Sequence, residues 1–137
     1  MEQSAIIYPA ATLVCWTMII SLLLVTIRFR LVRSAQVNPG YFKLNRGSKM
    51  PDYHTRLEQH YSNLFEFPIL FYAVVATLLA SNMVDNNFIL MAWAYVALRL
   101  IHTLVHTTYN NVIHRLLVFG ASCFLVVGMW IRLATML

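Results

Sequence analysis

Apolar residues in this chain fall into four long blocks rather than into short alternating runs. The first, 3–27, carries no charge, and the second, 63–84, is broken only by Glu66. A third block, 88–108, contains Arg99, His102 and His106, and a fourth covers 116–137. A helix needs about 20 mainly apolar residues to cross roughly 30 Å of hydrocarbon, so each block is long enough to span a bilayer. With their flanking turns the helices are expected at about 4–33, 54–83, 88–109 and 112–135, with a loop at about 34–53. The first block is too long for the apolar region of a cleavable signal and has no basic residues ahead of it, which predicts a retained helix. The fold class expected is all-α: one transmembrane domain over 1–137, an integral membrane four-helix up-and-down bundle.

Composition strengthens that reading. Hydrophobic residues make up 60% of the chain and charged ones 11%, against roughly 25% in an average soluble domain, too little polar surface to coat a water-soluble globule. The net charge of +5 reports topology before any nucleic-acid partner, and no nucleic acid is expected. Seven of the ten Lys and Arg lie within 28–56, against the single acid Asp52. Basic residues accumulate in short cytoplasmic loops, so this segment is assigned to the cytosol and both termini to the other side. The turn at 81–87, with Asp85 and no Lys or Arg, and Glu2 near the N-terminus agree. Short loops and the absence of an organelle signal suggest a bacterial inner membrane. Cys15 and Cys123 fall inside spans and read as small apolar packing residues. Gly120, Ser122 and Gly128 are small enough to admit close helix packing in the last span.

Ionisable residues inside a span cost about 2.5 to 3.5 kcal/mol each on insertion scales, which makes each a candidate functional group. Arg56, His60, Asn63 and Glu66 follow at helical steps on the second span, and Glu66 precedes Pro68, which frees a carbonyl about one turn earlier and predicts a kink. Tyr95, Arg99, His102, His106 and Tyr109 form a polar stripe on the third span that cannot face lipid. Two readings follow. Glu66 pairs with Arg99 or Arg56 and holds the bundle together, or the groups line a positively charged cavity open to the cytosol. In the second, Arg33, Arg56 and Arg115 offer forked donors for carboxylates, Glu66 an ammonium site and Asn63 an amide partner, together a site for a small zwitterion. Arginine beside a thiol also favours thiolate, which permits thiol transfer. His102 and His106 at i, i+4 have no nearby Cys or carboxylate to complete a ligand set, and no metal is expected. Neither a Gly-rich phosphate loop nor a Ser/His/Asp nucleophile motif is present.

The stretch 56–68, with Asn63 and Glu66 three apart after a basic residue, resembles the second-helix pattern of the MAPEG family, the membrane-associated proteins of eicosanoid and glutathione metabolism. The offsets of Arg99, His102, His106 and Arg115 are similar to that family's third-helix motif and the arginine after it. Arg30 and Arg33 ahead of Asn38 and Pro39 resemble the end of its first helix. The resemblance implies a homotrimer of four-helix subunits binding glutathione as co-substrate at subunit interfaces. It implies Arg115 as the catalytic residue that stabilises the thiolate. The glutathione ligands it brings in are Arg30, Arg33, Arg56, His60, Asn63, Glu66, Arg99, His102 and His106. The activity implied is a glutathione-dependent transferase or peroxidase acting on hydrophobic electrophiles that arrive from the bilayer. The alternative is a non-enzymatic membrane protein that binds a lipid-like acid or acts as a structural partner. The chain departs from the family pattern at Gln59, where members carry an arginine, and at His106, where a tyrosine is found.

Overall fold

The computed structural model of the protein describes residues 3–44, 46–47 and 49–136, and every regular element among them is helical. Glu2, which bears on the side of the N-terminus, and Leu137, the last residue of the fourth apolar block, lie outside them. A 3-10 turn, Gln3–Ile6, leads into α1 (Ile7–Arg33). A single-turn α2 (Tyr41–Leu44) follows in the loop, then α3 (Asp52–Glu66), α4 (Pro68–Ala80), α5 (Asn86–Thr107) and α6 (Val112–Met136). Four stretches are long and apolar enough to cross a membrane: Gln3–Arg33, Asp52–Ala80, Asn86–Thr107 and Val112–Met136. The all-α four-helix membrane bundle expected from the hydropathy pattern is the fold observed. Gln3, the end of α6 and the 81–85 turn lie at one end, called here the terminal end; the 34–44 segment and the 108–111 turn lie at the other, the loop end.

Local chemistry sets the helix ends. α4 and α5 stop at Asn82 and Asn110, whose φ of 54° and 51° lie in the left-handed region that asparagine tolerates. There the N–H of Met83 bonds the carbonyl of Leu78 at 3.1 Å and the N–H of Asn110 that of Val105 at 2.8 Å, closing the last turn. α5 opens at Asp85, which accepts from the N–H of Phe88 at 2.9 Å. α6 opens at Asn111, which accepts from Ile113 and His114 at 3.0 and 3.1 Å. Pro68 interrupts the second span at Phe67, which keeps helical dihedrals (φ −76°, ψ −35°), so the break is in the hydrogen-bond ladder.

Two packing regions divide the bundle. At the terminal end Leu13, Phe71, Val74, Leu78, Phe88, Ala92, Tyr95, Val126 and Met129 form one apolar core drawn from α1, α4, α5 and α6. Phe71 stacks on Tyr95 with centroids 4.4 Å apart. At the loop end a smaller cluster, Ile20, Leu24, Leu57 and Leu64, ties α1 to α3. α5 and α6 make the most extensive helix pair. Gly128 lets Met91 approach to 3.4 Å of where a Cβ would sit, and Ser122 is fully buried. Gly120 faces open space, so the close packing expected there does not occur within the protomer. The outer surface is apolar, with Leu22, Phe29, Leu90, Leu117 and Phe124 exposed, as a lipid-facing surface requires.

Candidate functional site

The polar residues of the spans gather at the loop end, where α3, α5 and the start of α6 enclose an open cleft of about 280 Å³ lined by Asn63, His102, Val112, Arg115, Leu116 and Phe119. Arg115 sits one turn into α6, because Asn111 starts that helix. Its guanidinium donates to Asn110 Oδ1 at 2.8 Å, which steers it. The left-handed Asn110 that ends α5 therefore also orients the cation of the cleft.

Behind the cleft wall the stripe of α5 turns inward. Arg99 is fully buried; its Nε donates to the Tyr95 hydroxyl at 3.0 Å, and its guanidinium lies 5.2 Å from the ring centroids of both Tyr95 and Phe119. Its two terminal nitrogens are buried without a hydrogen-bond partner. His60 from α3 packs against His102 and His106 from α5, with ring centroids 5.5 and 5.3 Å away, and those two are 5.6 Å from each other. Both ring nitrogens of His60, both of His106 and Nδ1 of His102 are buried without a partner. No group of three His, Cys, Asp or Glu among the described residues is arranged to hold a metal ion.

The remaining expected site residues are not brought to this cleft. Glu66 is exposed beside exposed Phe65 and Ile69. Among the described residues it pairs with neither Arg99 nor Arg56, so the expected ion pair across the bundle is absent. Each three-residue step on a helix falls short of a full turn by about 60°, so two steps rotate Glu66 about 120° away from the inward-facing His60. Arg56 instead donates to the Thr108 carbonyl at 3.1 Å, pinning α3 to the end of α5. Arg30 and Arg33 line a separate open cleft of about 380 Å³ with Ser34, Gln36 and Tyr53. Gln59 is exposed, and Tyr109, beyond the end of α5, is exposed and bonded to His114 at 2.9 Å.

Two charged clusters were not anticipated from the sequence. Arg28 on α1 pairs with Glu58 on α3 at 2.6 Å, with His54 on the same carboxylate at 3.9 Å. The Arg28 guanidinium also lies 5.5 Å from the ring centroid of Phe42 in α2, anchoring the loop. The i, i+4 spacing of His54 and Glu58 was the available signal. At the terminal end Asp85 binds Arg132. Burial works against the Asp85 charge, but the Phe88 N–H and the Arg132 guanidinium outweigh it and hold the carboxyl below its usual range.

Among known proteins, the family model of the MAPEG family matches residues 6–135. No curated protein and no solved structure matches the chain.

Proposed function

The chain belongs to the MAPEG family, and on that premise we propose that it is a glutathione-dependent transferase or peroxidase acting on hydrophobic electrophiles, with Arg115 stabilising the thiolate. The observation that carries the reading is the cleft itself, where a steered guanidinium stands with an amide side chain, Asn63, and an imidazole, His102. A cation held beside a thiol lowers its pKa and raises the fraction of reactive thiolate. Asn63 supplies a donor and an acceptor for a peptide amide of the tripeptide. The apolar part of the wall, Val112, Leu116 and Phe119, gives a hydrophobic electrophile a route from the bilayer.

One protomer's cleft, at about 280 Å³, is at the small end of ligand pockets, which run from roughly 300 to 1,000 Å³. Glu66 stands on an exposed apolar face of a spanning segment, where an uncovered carboxylate is costly. Both facts fit a homotrimer in which a neighbouring subunit covers that face. Arg30, Arg33 and Glu66 then complete the glutathione site across the interface, Glu66 on the ammonium group and the arginines on carboxylates. The cleft is assigned to the cytosolic side and both termini to the opposite one, because the basic residues of 28–56 lie at the same end as the cleft. A bacterial inner membrane suits this reading.

Calorimetric titration of glutathione into the purified oligomer tests it. Saturable binding is expected, weakened at least about tenfold by Glu66→Gln through loss of a charge-assisted contact. Arg115→Ala should leave binding within a few fold and lower turnover by about 100- to 1,000-fold, the usual effect of removing a group that stabilises developing charge. No binding at millimolar glutathione would overturn the reading and leave a non-enzymatic binder of lipid-like acids in its place.

A further inference from the structure

The segment that joins α1 to α3 folds back against α1 instead of rising away from it. The Phe42 ring centroid lies 5.5 Å from the Arg28 guanidinium. Leu31, Val37 and Met50, with Tyr41 and Phe42 against them, form an apolar cluster that holds both limbs of the segment to the helix end. Arg28 precedes the end of α1 by five residues, about 7.5 Å along its axis, so α2 stands beside the last turns of a spanning helix. Between the two runs an open groove of about 310 Å³, lined by Val25, Arg28, Phe29 and Val32 from α1 and by Pro39 and Phe42 from the segment. Arg28 is the one charged residue in it, and Glu58 takes that charge at 2.6 Å. Phe29 is 73% exposed there. The groove lies on another side of α1 from the cleft of Arg30 and Arg33.

Beyond Phe42 the charge is of one sign. Lys43, Arg46 and Lys49 are exposed and in no ion pair among the described residues. No acid occurs between Ser34 and Pro51. Leu44, beside Lys43, is 76% exposed. An exposed apolar side chain among basic ones, at the end of a spanning helix, is the pattern of a segment that lies in the membrane interface, with its stems in the acyl boundary and its charges at the phosphates.

We propose that this groove and the 43–49 arc together bind an anionic phospholipid of the leaflet at the loop end, with an acyl chain in the groove and the phosphate on Lys43, Arg46 and Lys49. The uncompensated positive charge of the arc is complementary to phosphate, and basic clusters directly beside a spanning helix draw anionic lipids. The groove opens on the apolar outer face of α1, where hydrocarbon and not water is the neighbour. A lipid seated there pins the segment that bridges α1 and α3, the two helices that Arg28 and Glu58 also tie together. This site is independent of the glutathione reading.

Native mass spectrometry of the detergent-purified protein, equilibrated with equal amounts of phosphatidylglycerol and phosphatidylcholine of the same acyl chains, tests this. Wild-type protein should retain phosphatidylglycerol in preference by at least about tenfold at low salt, and Lys43→Gln and Arg46→Gln should each lower that preference about fivefold, the effect of one basic residue at an anionic surface. Arg30→Gln removes the same charge from another side of α1 and should leave the preference within about twofold, because it lies outside the site. All three replace exposed side chains, so folding is not at stake. Glycerol phosphate, which has the phosphate but no acyl chain, should not displace the bound lipid. Equal retention of the two lipids, or a preference that survives Lys43→Gln combined with Arg46→Gln, overturns the proposal. A loss in Arg30→Gln as large as in Lys43→Gln overturns it too, by showing that net charge alone attracts the lipid. Displacement by glycerol phosphate removes the lipid as occupant and leaves a site for a soluble anion.

Discussion

The two ends of the bundle are built on opposite principles. At the terminal end four helices close on Phe71, Val74, Leu78, Phe88 and Met129, and the charged pair there, Asp85 with Arg132, sits at the rim where it is about one-third exposed. At the loop end the interior holds Arg99, His60, His102 and His106 with ring and guanidinium nitrogens unpartnered, next to an open cleft. The first arrangement is what stability alone produces. The second carries buried polar groups that cost free energy unless something bonds to them, so the loop end gives up stability that the terminal end keeps.

Phe71→Ala breaks the comparison most sharply if it is wrong. It opens a cavity in a fully buried stack and should destabilise the protein by about 3–5 kcal/mol, read as a drop in the thermal unfolding midpoint in detergent. A loss below about 1 kcal/mol would mean that the terminal end is not the stabilising half. Arg99→Met sharpens it from the other side. Exchanging a buried cation that has no carboxylate partner among the described residues for an apolar side chain of similar length should raise stability by about 1–4 kcal/mol while turnover falls. A destabilised Arg99→Met protein would show that the Tyr95 hydroxyl and the flanking Tyr95 and Phe119 rings compensate the buried cation.

The smallest effect is expected at Asp85. Its folded carboxyl titrates below the unfolded one, so its contribution is full above the ordinary aspartate range, near pH 4, and is lost as pH falls through the lower folded value. Asp85→Asn should therefore cost at most about 1 kcal/mol near neutral pH, less after solvent screening, and should flatten the acid limb of unfolding midpoint against pH. An unchanged acid limb would place the acid sensitivity elsewhere.

Much of this was legible in the chain. Four uncharged or nearly uncharged blocks gave the helices, because backbone groups in hydrocarbon must be satisfied within their own segment. The three- and four-residue steps of Tyr95, Arg99, His102 and His106 gave a buried polar face, because helical periodicity puts them on one side. The same rule failed at Glu66, where repeated steps of three drift around the helix, and at Tyr109, which falls past the end of α5. Arg30 and Arg33, close to the other arginines in sequence, line a cleft of their own in the fold.

By itself the sequence determined the spans, the all-helical class and the inward face of the third long helix, which depend on local hydrophobicity and periodicity, while its motifs carried the resemblance to the family. Only the tertiary structure decided which polar groups meet. Asn63, His102 and Arg115 line one cleft because α3, α5 and α6 converge there, His60 joins two histidines of α5 out of solvent, and Glu58 rather than Glu66 takes an arginine. Helix rotation and pairing set those contacts, and they arise from packing between segments far apart in the chain, which no local pattern encodes.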